Sequence, residues 1–198
     1  SPATVSRVLN DHGSVDATLA RRVRRAIDEL GYQPSRTARA LRRQRTNVWT
    51  LVVSDIRNAF FGEVARGIED AALEADYAVV LCNSDDDVPR ERAYVDLAIA
   101  ERVAGVVLSP ASASATPLAL ARLRAAGIPV VLVDRGVDGE SPDVVTIDNR
   151  EAARTATLHL VAQGFSRIGC ICGPSAITTA RDRIQGYRDA LREAGRPA

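Results

Sequence analysis

Three stretches of the chain gather side chains suited to holding a polar ligand. Asp55-Ile56-Arg57-Asn58-Ala59-Phe60-Phe61 sets a carboxylate and an amide beside two of the three phenylalanines in the protein. Asp134-Arg135 supplies a second carboxylate, and Arg183 follows in Thr179-Ala180-Arg181-Asp182-Arg183. Carboxylate, amide and guanidinium groups satisfy the dense hydroxyls of a sugar, while an aromatic ring covers its C–H face. Asp55, Asn58, Phe60, Phe61, Asp134 and Arg183 are therefore candidate ligand-binding residues. Each also has a plainer reading when taken singly, Phe60 and Phe61 as core residues of a helix and Asp134 as a loop cap.

A different chemistry opens the chain. Thr4-Val5-Ser6-Arg7-Val8-Leu9-Asn10 reads as a short helix with Val5, Val8 and Leu9 on one side and Thr4, Arg7 and Asn10 elsewhere. Small hydroxyls, an arginine and an amide on one short helix suit base edges and phosphates in a major groove. Residues 16–30 form a second amphipathic run, with Leu19, Val23, Ala26, Ile27 and Leu30 at helical spacing, Asp16 placed to cap its start and Gly31 to end it. A stripe of that kind needs a partner.

Charge separates these stretches. The 198 residues carry 26 basic and 25 acidic side chains, a formal charge of +1. Residues 1–45 nevertheless hold ten arginines and four acids, for +6, which leaves −5 on residues 46–198. A basic head on an acidic body suits a polyanion such as DNA, and equally an arginine-rich helix in solvent.

The body alternates between short β-branched runs and alanine-rich helices. Val48–Val53, Ala78–Cys82, Gly105–Leu108 and Pro129–Val133 read as strands buried on both faces, separated by helices near 60–75, 89–102 and 116–126. This alternation predicts an α/β, doubly wound parallel sheet whose ligands sit beyond the carboxyl ends of the strands. A second such unit is expected to begin near Val145–Asn149, with a helix to Gln163, a strand over Ile168–Cys172 and a helix over about 180–194. It stops after one and a half repeats, and no methionine occurs anywhere. The expectation is of a chain that begins and ends within a longer protein.

These residues resemble the lac-repressor-type transcription regulators. The resemblance rests on Thr4 to Asn10, Val15-Asp16 and Leu30-Gly31-Tyr32-Gln33-Pro34-Ser35 in the head. In the body it rests on Asp55 to Phe61, Gly127 to Val131, Val133-Asp134-Arg135, Asp148-Asn149, His159-Leu160, Arg167-Ile168, Gly173-Pro174, and Arg181 to Leu191. Ala59, Ala104 and Phe165 stand where the family often has Pro, Asp and His. The resemblance implies two lobes like those of periplasmic binding proteins, the second incomplete, behind a partial helix-turn-helix.

The resemblance also implies roles. Ser1 to Arg7 would be the recognition helix, with Pro2, Ala3, Thr4, Ser6 and Arg7 facing DNA and Asn10 and Tyr32 near its backbone. Residues 35–42 would be a hinge helix that sets Leu41 into the minor groove, unstacking a base step to bend the duplex. The implied parts are a head over 1–34, a hinge and linker over 35–46, an effector-binding N-lobe over 47–146 and the start of a C-lobe over 147–198.

Other signals carry less. Asp85-Asp86-Asp87 reads as a solvated loop, Cys170 and Cys172 as core residues of one strand, and His159 as a packed helix residue. Three cysteines make no disulfide framework. No stretch reaches the ~20 apolar residues of a membrane span, no basic start leads into an apolar run, and no nucleophile and base are paired. The expected protein is a cytoplasmic, homodimeric DNA-binding regulator, no enzyme, without cofactor or metal. It would bind operator DNA and a sugar or related metabolite between its lobes. The rival readings are a sugar-binding transport receptor of the same two-lobed fold, against which the basic head argues, and a small-molecule enzyme on a doubly wound sheet.

Overall fold

The computed structural model describes residues 1–9, 15–32, 45–139 and 142–197, and divides the chain into two compact units, 1–43 and 44–198. In the first unit, helix α1 spans Pro2–Leu9 and α2 spans Ala17–Glu29. Ser1 opens α1: its carbonyl accepts the amides of Thr4 and Val5 at 3.0 and 3.2 Å. Asp16 opens α2, one carboxylate oxygen accepting the Thr18 and Leu19 amides at 3.0 Å each. At the other end Gly31 adopts a left-handed φ of 57°, so its amide reaches the Asp28 carbonyl (3.2 Å) and the Tyr32 amide reaches that of Ile27 (3.0 Å). This paired closure needs a residue without a Cβ penalty at Gly31. The apolar stripe of α2 is present as read, but none of its residues is buried. Val5 joins Leu19, Val23, Ile27 and Leu30 in lining an open groove of about 400 Å³.

The second unit is built on a five-stranded parallel sheet in the order β2-β1-β3-β4-β5. Its elements are β1 (Val48–Val53), α3 (Ala59–Glu74), β2 (Ala78–Asn83), α4 (Val88–Ala100), β3 (Gly105–Leu108), α5 (Thr116–Ala125), β4 (Val130–Val133), β5 (Val144–Val145), α6 (Asn149–Ala162) and α7 (Thr178–Glu193). Alternation along β1 explains the two covered faces. Val52 joins Val106, Leu108 and Leu132 against Val95, Leu120 and Leu123 of α4 and α5, while Leu51 and Val53 turn to Phe61, Ala65 and Ile68 of α3. Full burial stabilises each such leucine by roughly 1.5–3 kcal/mol. The connections rise to the carboxyl edge, where Ser54, Ser84, Ser109 and Asp134 follow β1 to β4.

Helices α6 and α7 pack closely. A Cβ on Gly186 would lie 2.0 Å from the Arg150 carbonyl oxygen, so only glycine permits this approach. Arg150 pairs with Asp189 at 2.5 Å and Arg154 with Glu193 at 2.8 Å across the same seam.

Three expectations require correction. Val144–Val145 opens no second sheet; it pairs with Leu132 and Val133 of β4 as the edge of the first. Residues 168–172 form no strand, Ile171 and Cys172 are exposed, and Cys170 is only half-buried. A strand requires a neighbour to satisfy its backbone groups, and no described strand lies beside this segment. His159 is exposed on α6 and not packed.

Candidate functional site

The turn after β1 is tied to itself. The Arg57 side chain donates to both Asp55 carboxylate oxygens (2.9 and 3.0 Å) and its backbone amide to one of them (2.9 Å), which holds the Asp55 carboxyl below its usual range. Asn58 caps α3 by accepting the Phe60 amide at 3.1 Å. One step of helix then separates the two phenylalanines. Phe61 is 3% exposed and belongs to the core with Leu51 and Val53, whereas Phe60 is 47% exposed and meets it edge-on, ring centres 5.1 Å apart.

The acidic triplet after β2 lies in a turn, with Asp85 and Asp86 exposed to solvent as read from the sequence, and each carboxylate is also tied to a neighbour. Asp85 and Asp86 both take left-handed φ, 54° and 56°. Asp85 accepts from Asn83 (2.9 Å) and Arg90 (2.5 Å) and lies 3.9 Å from Arg57, Asp86 pairs with Arg135, and Asp87 caps α4 through the Arg90 amide (2.7 Å). Three consecutive carboxylates thus do three separate jobs, and sequence alone offers only their adjacency.

Arg135 spans the strand ends. Its side chain is 12% exposed, one terminal nitrogen serving both Asp86 and the Pro110 carbonyl (3.1 Å), while Nε lies 3.4 Å from Asp134 without a hydrogen bond. Asp134 itself sits at a φ of 68°. Burial pushes its carboxyl above the usual range, with Arg135 and then Arg183 opposing and Asp86 reinforcing. Arg183, exposed on α7, donates its Nε–H to Oδ1 of buried Asn149 at 2.8 Å. A polar belt therefore runs from Asp55 and Arg57 through Asp85 and Asp86 to Arg135, Asp134, Arg183 and Asn149. It brings Asp134 and Arg183 into electrostatic reach and leaves Phe61 outside.

Arg57, Asp85, Asp86, Arg135 and Asn149 are the members that site reasoning on the sequence did not select. Arg57, Arg135 and Asn149 stand in the quoted motifs, and Asp85 and Asp86 follow a strand end, the one available signal. Buried hydroxyls of Ser54 and Ser109 at the ends of adjacent β1 and β3 find no hydrogen-bond partner among the described residues. The arrangement offers donors and acceptors in alternation, as a polyhydroxylated molecule requires. Among the described residues no group of three His, Cys, Asp or Glu is placed to hold a metal, and no helix is long and apolar enough to cross a membrane.

In the first unit, α1 presents Ala3 and Arg7 to solvent, with Ser1 exposed, Thr4 and Ser6 half-buried and Val8 buried. Tyr32 is 52% exposed beyond α2. Pro2 takes the first position of α1. Asn10 and Leu41 lie outside the described residues, as does the segment 35–42 expected to form a hinge helix.

Comparison with known proteins covers both units. Residues 1–35 match bacterial regulatory proteins of the lacI family, and residues 50–197 match the periplasmic binding protein domain. The chain is 40% identical over 193 residues to the ribose operon repressor of Halalkalibacterium halodurans, covering 98% of this chain and 56% of that protein. It is 34% identical over 195 residues to the transcriptional regulator GalR of Escherichia coli, covering 98% and 56%. Among solved structures, the lac repressor dimer bound to operator and an anti-inducer superposes with a TM-score of 0.83 at 25% identity, over all of this chain and 59% of that one. A complex of the regulator CelR with cellobiose gives 0.64 at 32% identity, over all of this chain and 59% of that one. The chain spans a little over half the length of the curated relatives it matches.

Proposed function

Since the chain belongs to the lacI family of bacterial regulatory proteins, we propose that it is the DNA-contacting and effector-sensing portion of a ligand-controlled transcription regulator, acting as a repressor. One observation carries the reading. A +6 segment whose short helix bears Ala3 and Arg7 outward shares a chain with strand-end polar groups, Arg135 between the Pro110 carbonyl and Asp134, and Arg183 on buried Asn149.

In this account residues 1–34 are the DNA-binding head, 35–46 the hinge, 47–146 the N-lobe and 147–198 the start of the C-lobe. Ser1, Pro2, Ala3, Thr4, Ser6 and Arg7 meet the major groove, Asn10 and Tyr32 the phosphates, and Leu41 the minor groove. Two copies on a pseudo-palindromic operator set the half-site spacing. Asp55, Asn58, Phe60, Asp134 and Arg183 bind a sugar or related metabolite, while Phe61 anchors the loop that carries Phe60. The relatives named above are regulators, and no reaction is assigned to this chain. A transport receptor would share the body, but its function has no use for the basic head.

The test is selectivity. The complete protein should bind operator-containing DNA at least ~10³-fold more tightly than random DNA at moderate salt. Equal affinity for both would refute the reading.

A further inference from the structure

Glu91 is a carboxylate in a place that disfavours carboxylates. It lies in the first turn of α4, 1% exposed, and burial pushes its pKa up. Among the described residues no cation offsets this. Its partners are two neutral donors: the Ala111 amide of the segment that joins β3 to α5, at 2.7 Å, and the hydroxyl of Thr116, the first residue of α5, at 2.8 and 3.1 Å from its two oxygens. Thr116 is wholly buried. The segment so gripped is itself a hub. Its Pro110 carbonyl accepts Arg135 at 3.1 Å, its Ala113 carbonyl accepts the Asp138 amide at 2.9 Å, and its Ala113 amide donates to Ala176 at 3.1 Å. Asp138 in turn pairs with Arg181 of α7 at 2.7 Å, two residues before Arg183.

We propose that Glu91 is a positioning residue for the strand-end site, fixing the 109–116 connection so that the Pro110 carbonyl sets the guanidinium of Arg135 against Asp86 and Asp134. The importance of that orientation for a ligand rests on the proposed effector role of the belt; the mechanical link from Glu91 to Arg135 does not. A buried acceptor that serves two donors at once does what an apolar side chain cannot, since an unsatisfied Ala111 amide would free the segment. The coupling is local and passes through two hydrogen-bonded steps.

The test uses the ligand-free complete protein and reads the Nε–H resonance of Arg135 together with hydrogen exchange at the Ala111 amide. In Glu91→Ala the Ala111 amide should exchange about tenfold faster, and the Arg135 resonance should shift or broaden. Glu91→Gln, which keeps an acceptor for Ala111 and a donor for Thr116, should restore both. Thr116→Val, which removes one donor at nearly constant volume, gives an independent arm should Glu91→Ala fail to fold, and should move the Arg135 resonance in the same sense. Asp96→Asn weakens the Arg122 pair on the same two helices and should leave Arg135 unmoved. An Arg135 resonance unchanged in Thr116→Val, or moved equally by Asp96→Asn, overturns the proposal. A separate arm titrates D-ribose and cellobiose into the wild type. Failure of both sugars to bind would count against the effector reading while the ligand-free result stands.

Discussion

Arg183 on α7 donates its Nε–H to the Oδ1 of Asn149 at 2.8 Å, joining an exposed cation to a side chain that is 3% exposed at the start of α6. The same guanidinium acts electrostatically on Asp134 beyond β4. Arg183→Ala removes the donor and the charge together. Leaving a buried acceptor unpaired costs about 1–3 kcal/mol, less here because water can reach the position of Arg183. A sugar that raises the wild-type melting temperature should leave that of the variant unshifted. Thermal denaturation at about 100 times the dissociation constant, where a ligand adds ~2.7 kcal/mol, checks this.

Gly186→Ala places a methyl group where the Arg150 carbonyl oxygen already sits. The helices must separate or bend, and overpacking of this kind costs typically ~1–3 kcal/mol, occasionally more. Chemical denaturation should show the loss, and hydrogen exchange should locate it in α6 and α7 with β1 to β3 little affected.

Glu91→Gln should stabilise the fold at neutral pH. The folded-state pKa of Glu91 is raised by burial, above the roughly 4.3 of a free glutamate. The stability this group contributes is therefore fully present below its unfolded pKa and is lost as pH rises through the folded one. The wild type should match the variant in acid and fall behind it as pH rises above that value. Melting curves between pH 4 and 8 test the sign, which would reverse if Glu91 met an unrecognised cation.

Asp16→Ala deprives the Thr18 and Leu19 amides of their cap. The expected loss is about 1 kcal/mol, confined to residues 1–43. Affinity for DNA should fall several-fold with sugar affinity intact, and a parallel loss of sugar binding would contradict the separation of roles.

Much of this was legible in the residues. Strands β1 to β4 stand within a residue of the apolar runs, because a buried parallel strand leaves a pattern few other elements share. Asp16 and Gly31 close α2 as their types demand. Pairing is another matter. Ile168–Cys172 has the composition of a strand but no neighbouring strand among the described residues, and Val144–Val145, too short to stand out, finds one in β4. Phe60 and Phe61 differ by a single helical step, so the sequence holds both while α3 buries only one. Arg135 escaped selection because its value lies in reaching Asp86, 49 residues away, over the Pro110 carbonyl.

In the proposed regulator one molecule couples sugar and operator. By linkage, the two ligands must alter each other's affinity by the same factor, typically about 5–150-fold. The decisive measurement is calorimetric titration of the complete protein with the sugar that gives the largest thermal shift, with and without saturating operator duplex. Coupling requires two distinct sugar affinities, differing by at least ~5-fold, and a difference that vanishes in Arg183→Ala because sugar no longer binds. One sugar affinity, the same with operator and without it, would contradict it.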